Sequence, residues 1–135
     1  MTAPARDRGS LSVVLMLITV VVFGGAALVV DGGRALTARR HAANVAEASA
    51  RAAVASQSLS TGFDADRATG VAREHAERSG VEAGDVVVEI RTGVTGEPEI
   101  VVTITERRRT VFLVLGGASD LTVRASGAAT FLYAT

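Results

Sequence analysis

Two histidines, His41 and His75, are the side chains best suited to acid–base or metal chemistry in this chain. Neither has a second histidine or a cysteine at ligand spacing. The sequence has no cysteine at all, which removes thiolate sites and disulfides. Each histidine reads as a solvated or half-buried residue on a helix. No HExxH, GxSxG or phosphate-binding glycine loop occurs. Gly24-Gly25 and Gly32-Gly33 are too short and too apolar in setting to cradle phosphate, and read as points where a helix packs closely or bends near a membrane surface. Asp31 and Arg34 lie one helical turn apart and are expected to pair. Arg107-Arg108-Arg109 reads as a solvated strand end, or as a contact for anionic lipid or an acidic partner. These residues define no catalytic, cofactor-binding or metal site, and the chain is not expected to be an enzyme.

The bulk composition narrows the field further. All 14 basic residues are arginine and are balanced by 14 Asp and Glu, so the basic excess of a nucleic-acid binder is missing. Aromatic residues make up 4% and tryptophan is absent, which argues against a pocket built on ring stacking. The 135 residues leave room for one small domain beside an apolar segment.

That segment is Leu11 to Val30. Sixteen of its twenty residues are apolar, the others being Ser12, Thr19, Gly24 and Gly25. As a helix it would be about 30 Å long, the thickness of a bilayer's hydrocarbon core. Ser12 and Thr19 can bond back to carbonyls one turn earlier. The alternative is a cleavable signal peptide, with Arg6 and Arg8 as its charged end and Gly24-Gly25-Ala26 as its small-residue site. Against that, the apolar run continues to Val30 before Asp31 stops it. The charges do not fix orientation: Arg6 and Arg8 precede the span, while Arg34, Arg39 and Arg40 follow it, which by count alone places the C-terminal side in the cytoplasm.

Helical periodicity continues from Arg34 to about Gln57. Ala35, Ala38, Ala42, Val45, Ala46, Ser49, Ala53 and Ser56 share one face; Arg40, Asn44, Glu47 and Arg51 line the other. Glu47 and Arg51 are in the favourable i,i+4 order. A stripe of small residues permits close approach, either to the domain's own sheet or in part to other helices of an assembly.

Together Arg8-Gly9-Ser10, the apolar span, Asp31-Gly32-Gly33-Arg34, Ala38-Arg39-Arg40 and the Ala-rich stretch Asn44 to Ala53 resemble the N-terminal segment of TadE/TadG-like proteins of tight-adherence (Flp) pilus assembly. The motif positions are Gly9, Asp31, Gly33, Arg34 and Glu47, the last standing where the family usually has Asp. Members processed as prepilins carry Glu five residues after the glycine of the processing junction. If that junction is Gly9–Ser10, Val14 holds the acidic position here, which resembles the TadG-related, uncleaved side of the family. The resemblance implies a bacterial cytoplasmic-membrane protein with its N-terminus inside and residues after Val30 outside. Its implied partners are the lipid bilayer and other pilus-assembly membrane proteins or pilin-like subunits. It implies a structural or assembly role without cofactor. A membrane-tethered binding module unrelated to pili is the alternative.

The remainder reads as alternating elements. Asp64 is a candidate cap for a helix to about Arg78, with Ala65, Ala68, Ala72 and Ala76 on one face, Asp66, Arg73, Glu74 and Glu77 on the other, and Gly80 as its stop. Val86, Val88 and Ile90, then Ile100, Val102 and Ile104, alternate with neighbours as two strands of a hairpin around Gly93, Gly96 and Pro98. Val111 to Leu115 is too short to assign by period; the family layout favours a short helix. A last strand opens at Leu121, Val123 and Ala125, is expected to bulge at Gly127, and resumes with Ala129, Phe131 and Tyr133. The expected fold is α+β: tail 1–10, transmembrane helix 11–30, and an extracytoplasmic domain 31–135 in which the long helix continues onto a pilin-like antiparallel sheet.

Overall fold

In the computed structural model, which describes residues 7–58, 60–94, 96–112, 114 and 117–132, one unbroken helix joins the apolar segment to the domain. This helix, α1 (Asp7–Ala55), begins inside the stretch expected to be a tail. Its N-terminal half is exposed along nearly its whole length among the described residues. The most apolar 18-residue window has a mean hydropathy of 2.9 and none of it is buried. Thr19 Oγ1 donates to the Leu15 carbonyl at 2.8 Å, so its hydroxyl is satisfied within the helix. This is the single described helix long and apolar enough to cross a bilayer.

Burial starts at Asp31 and then follows one helical face. Ala38, Ala42, Val45, Ala46, Ser49, Ala50 and Ala53 are all buried, while Arg40, Asn44, Glu47 and Arg51 are exposed. Ala50 belongs to the buried face although its spacing did not single it out. Glu47 accepts from Arg51 across one turn, as the spacing predicts.

Gln57 closes α1 and positions the next helix. Its Nε2 donates to the Ala53 carbonyl, and its Oε1 accepts from the Asp64 N–H. Asp64 in turn caps α2 (Ala65–Arg78) by accepting from the Arg67 N–H at 3.1 Å. Gly80, at φ +88°, ends the helix in a Schellman turn: Gly80 N–H bonds Glu77 O and Val81 N–H bonds Ala76 O. Ala68, Ala72 and Ala76 are buried; Ala65 is exposed at the helix start.

Three strands follow, β1 (Val86–Thr92), β2 (Pro98–Arg109) and β3 (Asp120–Thr130), in one antiparallel sheet of order β1-β2-β3. The sheet's inner row is Val86 and Val88 on β1, Ile100, Val102 and Ile104 on β2, and Ala125 and Ala129 on β3. It packs against α1 and α2. Phe131, just beyond β3, is buried against Phe63 with ring centroids 6.0 Å apart. The α+β architecture is as expected.

The expected bulge at Gly127 is absent. Register runs unbroken from Glu99↔Thr130 to Arg109↔Asp120, with Gly127 opposite Val102. Glycine is needed there for proximity: a Cβ would lie 2.5 Å from the Glu47 Cα and 2.7 Å from the Ala46 carbonyl carbon. Strand and helix touch backbone to backbone, and the Ala/Ser stripe on α1 is what lets them. Of the segment expected as a short helix, Val111, Phe112 and Val114 are described and belong to no named element; Leu113 and Leu115 lie outside the described residues. Tyr133 lies outside them as well.

Candidate functional site

The chemistry-bearing residues gather where β2 runs down α1 towards the apolar span. Glu106 stands beside His41, Arg108 and Arg109 come next, and the chain then turns so that Val111 and Phe112 meet Asp31. The last stretch of β2 therefore descends the helix and ends at the level where the exposed apolar segment begins.

Asp31 is 4% exposed. Its two carboxylate oxygens accept separately, Oδ1 from Val111 N–H and Oδ2 from Phe112 N–H, each at 3.0 Å. A carboxylate taking backbone donors in this way satisfies charge and loop together. The expected Asp31–Arg34 pair is not among the ion pairs of the described residues. Arg34 projects from an exposed position instead, because Asp31 faces the β2–β3 connection. The aspartate is a tether that fixes that connection to the helix.

Above it lies a small polar cluster. Glu106 is 8% exposed, and its Oε2 accepts from Nε and Nη2 of Arg108 at 3.1 and 2.8 Å. Its Oε1 has no hydrogen-bond partner among the described residues and stands 3.6 Å from His41 Nε2. A carboxylate beside an imidazole is half of a catalytic pair, and the two threonine hydroxyls nearby are bonded elsewhere among the described residues. Thr37 Oγ1 is committed to the Gly33 carbonyl at 2.9 Å, and Thr105 Oγ1 accepts from Arg124 Nε at 3.4 Å. Arg107 makes a two-oxygen pair with Asp85 at 2.8 and 3.0 Å. Of the arginine triplet, two members are thus engaged with carboxylates, and Arg109 with none among the described residues.

Between α1 and this strand end runs a groove of about 930 Å³. Val29, Val30 and Ala38 supply apolar wall, while Arg34, Arg108 and Arg109 supply charge. No carboxylate lines it among the described residues.

The motif positions thus divide. Gly33 and Arg34 line the groove, Asp31 ties the loop beside it, and Glu47 lies further up α1 where its backbone meets Gly127. Gly9 and Ser10 lie in the first turns of α1, far along the helix from the others. His75, half-buried on α2, joins none of these groups. Glu106 escaped the sequence reading although a signal was present: it shares the parity of the inward residues Ile100, Val102 and Ile104. A carboxylate in an inward row is worth notice.

No curated protein and no solved structure matches the chain. One family model does, that of the Flp pilus-assembly TadE/G-like proteins, over residues 9–56. Those limits nearly coincide with α1, and they contain the apolar half, the Asp31 tether, Arg34 and the small-residue face. Residues 9–56, nearly the whole of the helix that supports the sheet, are thus similar to the TadE/G-like proteins of Flp pilus assembly.

Proposed function

We propose that the protein is a structural component of a tight-adherence (Flp) pilus assembly apparatus or a related secretion system. Residues 11–30 anchor it in the cytoplasmic membrane of a bacterium, with the domain outside. It works by contact rather than by catalysis, joining other pilus-assembly membrane proteins or pilin-like subunits. One observation carries this reading: the family segment, 9–56, is at once the exposed apolar helix and the support of the sheet. A helix whose apolar half is left exposed by the described residues needs lipid or other helices to cover it. The domain, rigidly continuous with that helix, is then held at a fixed height above the bilayer.

The reading is tested by crosslinking a tagged full chain in membranes of its native host, extracting it in detergent and identifying what is joined to it. Pilin-like subunits or pilus membrane-platform proteins are the expected crosslinks. Recovery of extracellular ligands or unrelated envelope proteins alone would overturn the pilus assignment in favour of a tethered binding module.

A further inference from the structure

We propose that the groove between α1 and the end of β2 binds the headgroup of an anionic phospholipid. This rests on the membrane-anchored reading above and adds a specific ligand to it. Three guanidinium groups, Arg34, Arg108 and Arg109, line the groove, and no described carboxylate does. Only Arg108 is engaged by a carboxylate, Glu106, so the groove keeps a net positive charge. Arg34 and Arg109 make no ion pair with any described residue. Guanidinium is the group best shaped to take phosphate oxygens two at a time.

Position selects a lipid over a free anion. Val29 and Val30, the last residues of the apolar span, form the lower wall of the same groove. Arg34 follows Val30 by about 6 Å along the helix, which is within the headgroup layer of a bilayer whose core ends at Val30. The loop beside it agrees. Val111, Phe112 and Val114 are 44%, 36% and 50% exposed, and Asp31 holds the first two at the height where the span ends. Exposed apolar side chains at that height are suited to the boundary between headgroups and acyl chains, and arginines just above them to phosphate. The arginines that follow the span, which confuse a charge-based orientation, thus have a use on whichever leaflet they meet.

The test is native mass spectrometry of the full chain released from detergent with equal amounts of phosphatidylglycerol and phosphatidylcholine. Preferential retention of phosphatidylglycerol is expected. The double variant Arg34→Gln/Arg109→Gln should lose most of that preference, roughly fivefold for each guanidinium. Arg108 is left intact because it also holds Glu106. Arg39→Gln/Arg40→Gln removes the same charge from exposed positions outside the groove and should leave the preference within about twofold. Equal retention of both lipids, or equal loss in the two double variants, would overturn the groove as a site. Displacement of phosphatidylglycerol by millimolar inorganic phosphate would identify a free-anion site and overturn the lipid assignment. Fractionation of the host distinguishes the two levels. A membrane-bound chain without lipid preference loses the groove but keeps the anchor. A chain soluble without detergent that still shows the preference, and loses it in Arg34→Gln/Arg109→Gln, keeps the groove but loses the anchor.

Discussion

Replacing Gly127 with alanine is expected to destabilise the domain by about 2–3 kcal/mol, and with valine by more. The added Cβ would overlap the backbone nitrogen of Glu47 and sit 2.5 Å from its Cα. These are backbone atoms of a helix, so no rotamer change relieves the overlap and α1 must lift from β3. Lifting it separates the Ala46 and Ala50 face from the sheet and forfeits packing well beyond one residue. In a domain of this size the alanine variant should melt roughly 10–20 °C lower. Two controls isolate the cause. Gly70 lies exposed inside α2, and a Cβ added there would meet open space, so Gly70→Ala should stabilise by about 0.5–1 kcal/mol. Arg51→Ala, on the solvent face of α1, should cost well under about 1 kcal/mol. Thermal unfolding of the detergent-solubilised chain measures all three; a Gly127→Ala melting point equal to that of the parent would rule out the backbone contact.

Removing the Asp31 carboxylate should be at least as damaging, but locally. Hydrogen bonds to charged groups are worth about 1.5–3 kcal/mol each, and Asp31 accepts one from Val111 and one from Phe112. Asp31→Ala leaves both N–H groups without their acceptor, and a loss of about 2–4 kcal/mol is expected. Asp31→Asn keeps one acceptor oxygen and should lose roughly half as much. The connection between β2 and β3 should open first, so amide exchange at Val111 and Phe112 should accelerate more than exchange at Ile100 to Ile104, in the sheet's centre. Arg34→Ala should change stability by no more than about 0.5 kcal/mol. A loss from Arg34→Ala equal to that from Asp31→Ala would show that the two residues pair after all.

Much of this architecture was legible because it depends on periodicity and caps. The two-residue alternation from Val86 and from Ile100 located the hairpin, Asp64 and Gly80 bracketed α2, and the small-residue face of α1 was read almost completely. What escaped depends on contacts between residues far apart in sequence. Gly127 looked like a bulge because a glycine inside a strand has two meanings, and only the approach of Glu47 decides between them. Asp31 looked like a partner for Arg34 because one helical turn is a local distance; the donors it accepts from lie 80 and 81 positions away. The arginine-lined groove was half legible. The triplet Arg107-Arg108-Arg109 stood out as a candidate lipid contact, but long-range contacts sort it: Arg107 pairs with Asp85, Arg108 with Glu106, and Arg108 and Arg109 line the groove. No linear pattern would have joined them to Arg34.

Under the proposed function, the apolar half of α1 stays with the domain as its membrane anchor. Intact-mass analysis of the protein taken from carbonate-washed host membranes tests this most directly. The full-length mass is expected, or at most a chain trimmed between Gly9 and Ser10, recovered from the membrane fraction. A soluble chain beginning at Ala27 or later would mean that the segment is a removed leader, and would contradict the anchor.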